Sequence, residues 1–291
     1  MSKNKTLLYH GIAILTVLIW GTTFVCTKVL INTGLSPVEI LLYRFVLAYG
    51  CLLAISHSRI WASTAKDELL LLLCGLSGGS LYFIAENTAL SITMASNVSL
   101  LICTSPIFTT ILARIFIKEP FKRNLLYGSL VALLGVGLVV FNGSVLLRIN
   151  PLGDLLTLVA AILWAFYCLI LKRLSRSYTT LFITRKVFFY GILSLLLYFL
   201  LFPFPLHYGL LKLPVVYLNL LFLSVVASML GYIMWNAAVG VLGASKTANY
   251  IYIIPLITLL TSAIVLSEPI TIVSGIGALA IIGGVYVAER N

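Results

Sequence analysis

Residues 95–120 read ASNVSLLICTSPIFTTILARIFIKEP, and residues 243–269 read GASKTANYIYIIPLITLLTSAIVLSEP. At a shift of 149 residues, Ala95-Ser96 falls on Ala244-Ser245, Pro106 on Pro255, Thr109 on Thr258 and Glu119-Pro120 on Glu268-Pro269. Working outward, the same shift pairs Asn87 with Asn236, Ala89 with Ala238, and Gly128 and Gly135 with Gly277 and Gly284, with no gap in between. Slightly smaller shifts pair Trp20 and Lys28 with Trp164 and Lys172, and Arg44 and Gly50 with Arg185 and Gly191. Leucine-rich segments align with one another by chance. Shared Pro, Asn, Trp and Glu-Pro positions in one register do not, so the chain carries an internal repeat.

What is repeated is a set of membrane crossings. Of 291 residues, 61% are hydrophobic and only 9% charged, and the mean hydropathy is +1.13, which marks an integral membrane protein. Apolar runs cover 12–31, 38–56, 69–90, 96–117, 124–142, 153–172, 180–202, 215–238, 247–266 and 270–288. Each is the length of a transmembrane helix, and backbone amides in lipid must be satisfied within the segment; barrel strands would be about half as long and would alternate. The fold class read from this is an all-α integral membrane protein of about ten transmembrane helices. With five crossings in each copy, the second enters from the opposite face. The expected organisation is a first five-helix repeat over 1–145 and a second, inverted, over 146–291, together forming one membrane domain. Inverted repeats build alternating-access carriers whose substrate binds near the midplane, where the halves meet.

The formal net charge of +11 sorts by loop. With the N-terminus inside, the inner loops hold Lys3, Lys5, Arg59, Lys66, Lys118, Lys122, Arg123, Lys172, Arg173, Arg176, Lys246 and Arg290, against Lys28, Arg148 and Lys212 outside. This is the positive-inside pattern, so both termini are expected in the cytoplasm, and the partner of the basic charge is membrane topology and not nucleic acid. MSKNKTLLYHG resembles the charged start of a signal peptide, but the following run has Trp20 in its middle and no small-residue cleavage site, so a retained helix is expected. The five cysteines fall inside apolar spans without a CxxC pair, which reads as packing and not as a disulfide framework or metal site.

The early IWGTTFVCTK, the 95–120 block and its echo at 243–269 together resemble the EamA-like branch of the drug/metabolite transporter superfamily, and the doubled "Ala-Ser, then Pro, then Glu-Pro" pattern carries most of that resemblance. It covers nearly the whole chain. It implies ten helices in two inverted five-helix repeats, and movement of amino acids, other metabolites or drugs across the cytoplasmic (inner) membrane, often as an exporter. One fold serves many cargoes, so the resemblance implies the class and not the substrate.

Candidate site residues follow from polarity inside apolar spans. Trp20 and Trp164 sit too deep for an interfacial aromatic belt and read as cavity walls. Tyr82 lies one helical turn before Glu86 on the same face; Asn249 and Tyr252 in the ninth span, and Asn97 and Thr104 in the fourth, are spaced likewise, and such groups either join helices or touch cargo. Trp235 is the repeat counterpart of Glu86. A charge that the shared fold omits in one copy is less needed by that fold, which points Glu86 toward function. Unpaired, a carboxyl in apolar surroundings is a candidate coupling-proton site; a pair of Glu86 with Lys28 or Arg44 is the alternative. Arg44 recurs as Arg185, which favours structural roles for both. Pro106 and Pro255 lie mid-span, where each releases a carbonyl and favours a packing bend or a hinge. The Glu-Pro pairs read as helix ends, and Gly75 with Gly79 as a site of close helix approach.

No nucleophile–base pair, metal-ligand cluster or phosphate loop stands out, so no enzymatic activity, metal or cofactor is expected. The expected function is a secondary transporter, as an exporter, of a small organic solute such as an amino acid or a drug-like amphipath. It would work by alternating access in the lipid bilayer, with proton coupling through Glu86 open. An uncoupled facilitator of the same solutes, or a non-transporting sensor or assembly subunit, are the alternatives.

Overall fold

A computed structural model describes residues 3–56, 60–92, 95–119, 123–141, 150–203, 205–266 and 270–289. All regular structure in these residues is helical. The first copy comprises α1 (Lys3–Asn32), α2 (Pro37–Ile55), α3 (Ala65–Gly75), α4 (Leu81–Ile92), α5 (Ala95–Ile102), α6 (Ser105–Phe116) and α7 (Arg123–Phe141). The second comprises α8 (Pro151–Leu174), α9 (Thr180–Leu201), α10 (Pro214–Leu221), α11 (Gly231–Leu242), α12 (Ala244–Ala248), α13 (Ile254–Leu266) and α14 (Ile272–Glu289). Polar residues in the breaks start the helices: Ser36 and Glu39 form a reciprocal capping box ahead of α2, with Pro37 in its first turn. Thr64, Asn150 and Thr179 cap α3, α8 and α9.

Four of the ten crossings are interrupted, and the interruptions obey the repeat. A π-helical turn over Leu76–Ser80 joins α3 to α4, and another over Phe222–Leu230 joins α10 to α11. The fourth crossing breaks between α5 and α6, and the ninth passes through a 3-10 turn over Asn249–Ile253 between α12 and α13. Pro106 and Pro255 stand at these two interruptions, each as the second residue of the segment that follows, where the missing N–H costs nothing. Among the described residues, seven helical stretches are long and apolar enough to cross a membrane unaided, the two that contain π turns included, while Leu100–Phe116 and Ile272–Ala288 are shorter.

The fifth and tenth crossings show how the copies are oriented. A Cβ added at Gly128 would lie 2.4 Å from Gly284 O and Ala288 N, and one at Gly135 would lie 2.7 Å from Gly277 O and Ile281 N. Contacts that advance along α7 recede along α14, so these two repeat mates run antiparallel. The contact is reciprocal: a Cβ at Gly277 would meet Gly135 O at 2.6 Å, and one at Gly284 would meet Gly128 O at 2.6 Å. Two copies of one helix meeting the same way from opposite directions is what a two-fold axis in the membrane plane produces. Backbone cannot move aside as a flexible side chain can. Gly284→Ala is therefore expected to lower stability by about 1–3 kcal/mol, the range for overpacking, and a thermal unfolding curve equal to that of wild type would show that the helices do not meet here.

Candidate functional site

The π turns build the centre of the molecule. A π turn leaves carbonyls outside the ordinary helical ladder, and aromatic donors from other helices collect them. Trp20 Nε1 on α1 donates to Ala227 O at 2.9 Å. Tyr232 Oη on α11 donates to Gly78 O at 2.5 Å. Gly78 and Ala227 are repeat mates at the shift of 149. Gly231 has no side chain, and a Cβ there would sit 2.7 Å from Trp20 Nε1; this is a close approach that requires glycine.

Around these anchors stands a cluster of aromatic rings. Trp20 meets Trp164 with centroids 5.4 Å apart and nearly perpendicular, Trp235 at 5.1 Å and Tyr232 at 5.9 Å. Trp164 also packs on Tyr82 at 5.2 Å. These spacings are those of edge and tilted aromatic pairs, which give a rigid wall. Above it opens a cavity enclosing about 850 Å³ of space free of protein atoms, counting its mouth. Its lining comes from the second half of α1 (Trp20, Thr23, Thr27), early in α2 (Ile40, Leu41, Arg44) and α4, the later part of the third crossing (Tyr82, Phe83, Glu86, Asn87), with Ser105, Trp164, Tyr232 and Ile254. The cavity therefore lies toward the end of the bundle where α1 ends and α2 begins.

Two charged side chains face it. Glu86 is buried and Oε1 accepts a hydrogen bond from Tyr82 Oη at 2.8 Å. Arg44 is buried, donates through Nε to Ser228 Oγ at 2.5 Å, and places its guanidinium 4.8 Å from the centroid of Phe83. Neither Arg44 nor Lys28 forms an ion pair with Glu86, and Lys28 is exposed. Of the two arginines related by the repeat, Arg44 lines the cavity, while Arg185 donates to Ser56 O away from it.

The structure thus brings Trp20, Tyr82, Glu86, Trp164 and Arg44 to one cavity, with Trp235 buried behind the first two tryptophans. Asn249 and Tyr252 are buried outside the cavity wall, Asn249 accepting from Ser129 Oγ at 3.1 Å. Pro106 and Pro255 flank the lining residues Ser105 and Ile254. The side chain of Asn97 and the pair Glu268-Pro269 lie outside the described residues. Sequence reading missed Tyr232, although it is the repeat mate of Phe83, and it missed Ser105.

At the opposite end Glu119 does more than end a helix. Its carboxylate accepts from Ala244 N at 3.3 Å, Ser245 N at 3.4 Å and Ser245 Oγ at 2.7 Å, so it caps α12 across 125 residues of sequence. Gly243, at φ +100°, makes the turn that presents those amides, and Lys172 Nζ donates to Gly240 O at 2.8 Å beside it. Glu119→Gln keeps the shape and loses the charge. Hydrogen bonds to charged groups contribute about 1.5–3 kcal/mol, so this end is expected to loosen. A cysteine at Ala248 should then be labelled by a membrane-impermeant maleimide several-fold faster than in the Glu119 parent; equal rates would show that Glu119 does not hold α12 in place.

A family model described as the EamA-like transporter family matches residues 7–141 and again 151–289. The chain belongs to the EamA-like transporter family. This EamA-like chain is 30% identical to an uncharacterized transporter of Archaeoglobus fulgidus over 97% of both chains. It is 27% identical to a probable terminal-alkyne amino-acid exporter of Streptantibioticus cattleyicolor, covering 96% of this chain and 92% of that one. It is 28% identical to a probable amino-acid metabolite efflux pump of Salmonella typhimurium, covering 95% and 93%. A solved crystal structure superposes on the EamA-like chain with a TM-score of 0.80 over 99% of both chains at 17% identity, a likeness of fold alone. The chain is a multi-pass membrane transporter of the EamA type, and membership of that family implies a small-molecule substrate and a bilayer around the aromatic cavity.

Proposed function

We propose that the protein is a secondary exporter of small amphipathic organic solutes that carry an amino group, amino acids among them. The observation that carries the reading is Glu86: a buried carboxylate facing an aromatic cavity, which among the described residues accepts one hydrogen bond, from the Tyr82 hydroxyl, and makes no ion pair, Arg44 acting on it only at longer range. Buried charge unpaired by the fold is expensive and marks function in membrane helices. The rings of Trp20, Trp164 and Tyr232 suit the apolar body of such a solute, and a cation is also attracted to aromatic faces. Arg44 gives the same cavity a positive pole, so a zwitterion is matched at both ends. Two relatives, a probable terminal-alkyne amino-acid exporter and a probable amino-acid metabolite efflux pump, agree with this substrate class.

In this reading the halves 1–145 and 146–291 rock about the cavity, both termini lie in the cytoplasm by the distribution of Lys and Arg, and the membrane is the cytoplasmic one. The cavity then opens outward while Glu119 holds the cytoplasmic end shut. A proton and a substrate amine compete for the one carboxylate of Glu86, which is the minimum device for exchanging one against the other. Proteoliposome uptake with and without an imposed pH gradient tests the coupling: a gradient acid on the substrate-receiving side should raise the uptake plateau several-fold. An unchanged rate and plateau would leave an uncoupled facilitator.

A further inference from the structure

The copies share their scaffold, but their polar groups at the cavity differ. Glu86 has Trp235 as its mate, and Ser105 has Ile254. Both Ser105 and Ile254 line the cavity, so one wall is polar and its counterpart apolar. Ser105 opens α6 just beyond the break in the fourth crossing. Other hydroxyls in this part of the chain are spent on their own helix: Thr104 bonds Leu101 O, Thr109 bonds Ser105 O and Thr110 bonds Pro106 O, the usual fate of Ser and Thr in apolar helices. Among the described residues Ser105 Oγ, 1% exposed, has no hydrogen-bond partner. The carbonyl four residues back, Leu101 O, already accepts from both the backbone N–H and the hydroxyl of Thr104.

Trp164 presents the same situation on the neighbouring helix. Its mate Trp20 donates to Ala227 O. The carbonyl that the repeat would offer Trp164 is Gly78 O, and that carbonyl is taken by Tyr232 Oη. Trp164 Nε1, on a side chain 5% exposed, is left without a partner. Buried donors without acceptors cost free energy and are rare. Two of them in the wall of one cavity, unpartnered among the described residues, one opening α6 and the other on α8, call for an acceptor from outside the chain.

Resting on the proposed transport of amine-bearing solutes, we infer that Ser105 and Trp164 supply the donors that receive the substrate's carboxylate, in the cavity that Arg44 and Glu86 also line. Ser105 and Trp164 then decide whether the carrier tells an amino acid from the amine that lacks its carboxyl group. The probes are leucine and isopentylamine, which differ by that group alone, with binding to purified full-length protein measured by calorimetry. Ser105→Ala and Trp164→Phe should each weaken leucine binding about 10-fold, the effect of one hydrogen bond to a charged group. Isopentylamine binding by Ser105→Ala should stay within about 2-fold of wild type, since its amine goes to Glu86 and it brings no carboxylate for the lost donor to meet; Trp164→Phe also alters the ring wall that both probes touch, so there the loss for leucine should exceed the loss for isopentylamine several-fold. Thermal unfolding of each variant checks folding, and Ser105→Ala, which removes one atom, keeps the test open should Trp164→Phe not fold. Equal losses for both probes, or no loss for leucine, would overturn the inference while leaving the transport reading in place. Binding of neither probe by wild type would overturn the amine reading and this inference with it.

Discussion

Glu86→Gln is expected to fold as well as wild type and to lose binding of amine-bearing solutes by about 10- to 100-fold, the effect of removing one charge-assisted hydrogen bond worth roughly 1.5–3 kcal/mol. The two halves of that result come from different physics. The amide oxygen of glutamine still accepts from Tyr82 Oη, which now donates at 2.8 Å to the carboxylate. Removing an unpaired buried charge also removes its desolvation cost, so stability should hold or rise. A residue retained for packing would behave the other way, with stability falling and binding unchanged. Tyr82→Phe supplies the contrast: it leaves the carboxylate without its donor and is expected to cost stability by about 1–3 kcal/mol. Thermal unfolding and equilibrium binding on the same preparations separate these outcomes.

The second large effect is at Trp20. This side chain packs on Trp164, Tyr232 and Trp235 and satisfies Ala227 O in the π turn of the eighth crossing, so it joins the first copy to the second at the cavity floor. Trp20→Ala is expected to cost about 3–5 kcal/mol by the usual range for buried aromatic truncation, with a further penalty for the orphaned carbonyl. Trp20→Phe retains a ring and isolates the hydrogen bond, for which about 1 kcal/mol is expected. Unfolding in detergent measures both, and a Trp20→Ala variant of wild-type stability would mean that the ring cluster does not hold the halves together.

Much of this architecture is legible in the chain because its signals are local. Span lengths follow from lipid thickness, and the offset of 149 residues makes Pro106, Glu119, Gly128 and Gly135 recognisable by their echoes. Trp20, Trp164 and Glu86 could be singled out because each contradicts the composition of its surroundings. What stayed hidden depends on neighbours. Helical periodicity places Asn249 and Tyr252 on one face of their crossing but does not say which helix covers that face; it is covered near Ser129, away from the cavity. Proline read alone suggests a bend, whereas the observed breaks place Pro106 and Pro255 at the starts of new segments. Ser105 looks like an ordinary hydroxyl in sequence; that Thr104 takes Leu101 O, the carbonyl four residues back, shows only in the structure. Glu119 is an ordinary helix end in sequence and becomes the cap of α12 only when the second copy folds back against the first.

Counterflow in proteoliposomes tests the central claim most directly. Vesicles containing the protein are loaded with unlabelled leucine and diluted into a trace of labelled leucine, with Glu86→Gln vesicles in parallel. Alternating access about an amine-binding cavity predicts a transient accumulation of label above equilibrium in wild type and a strongly reduced one in Glu86→Gln. Absence of accumulation with wild type across amino acids and simple amines, or equal accumulation in the two proteins, would contradict it.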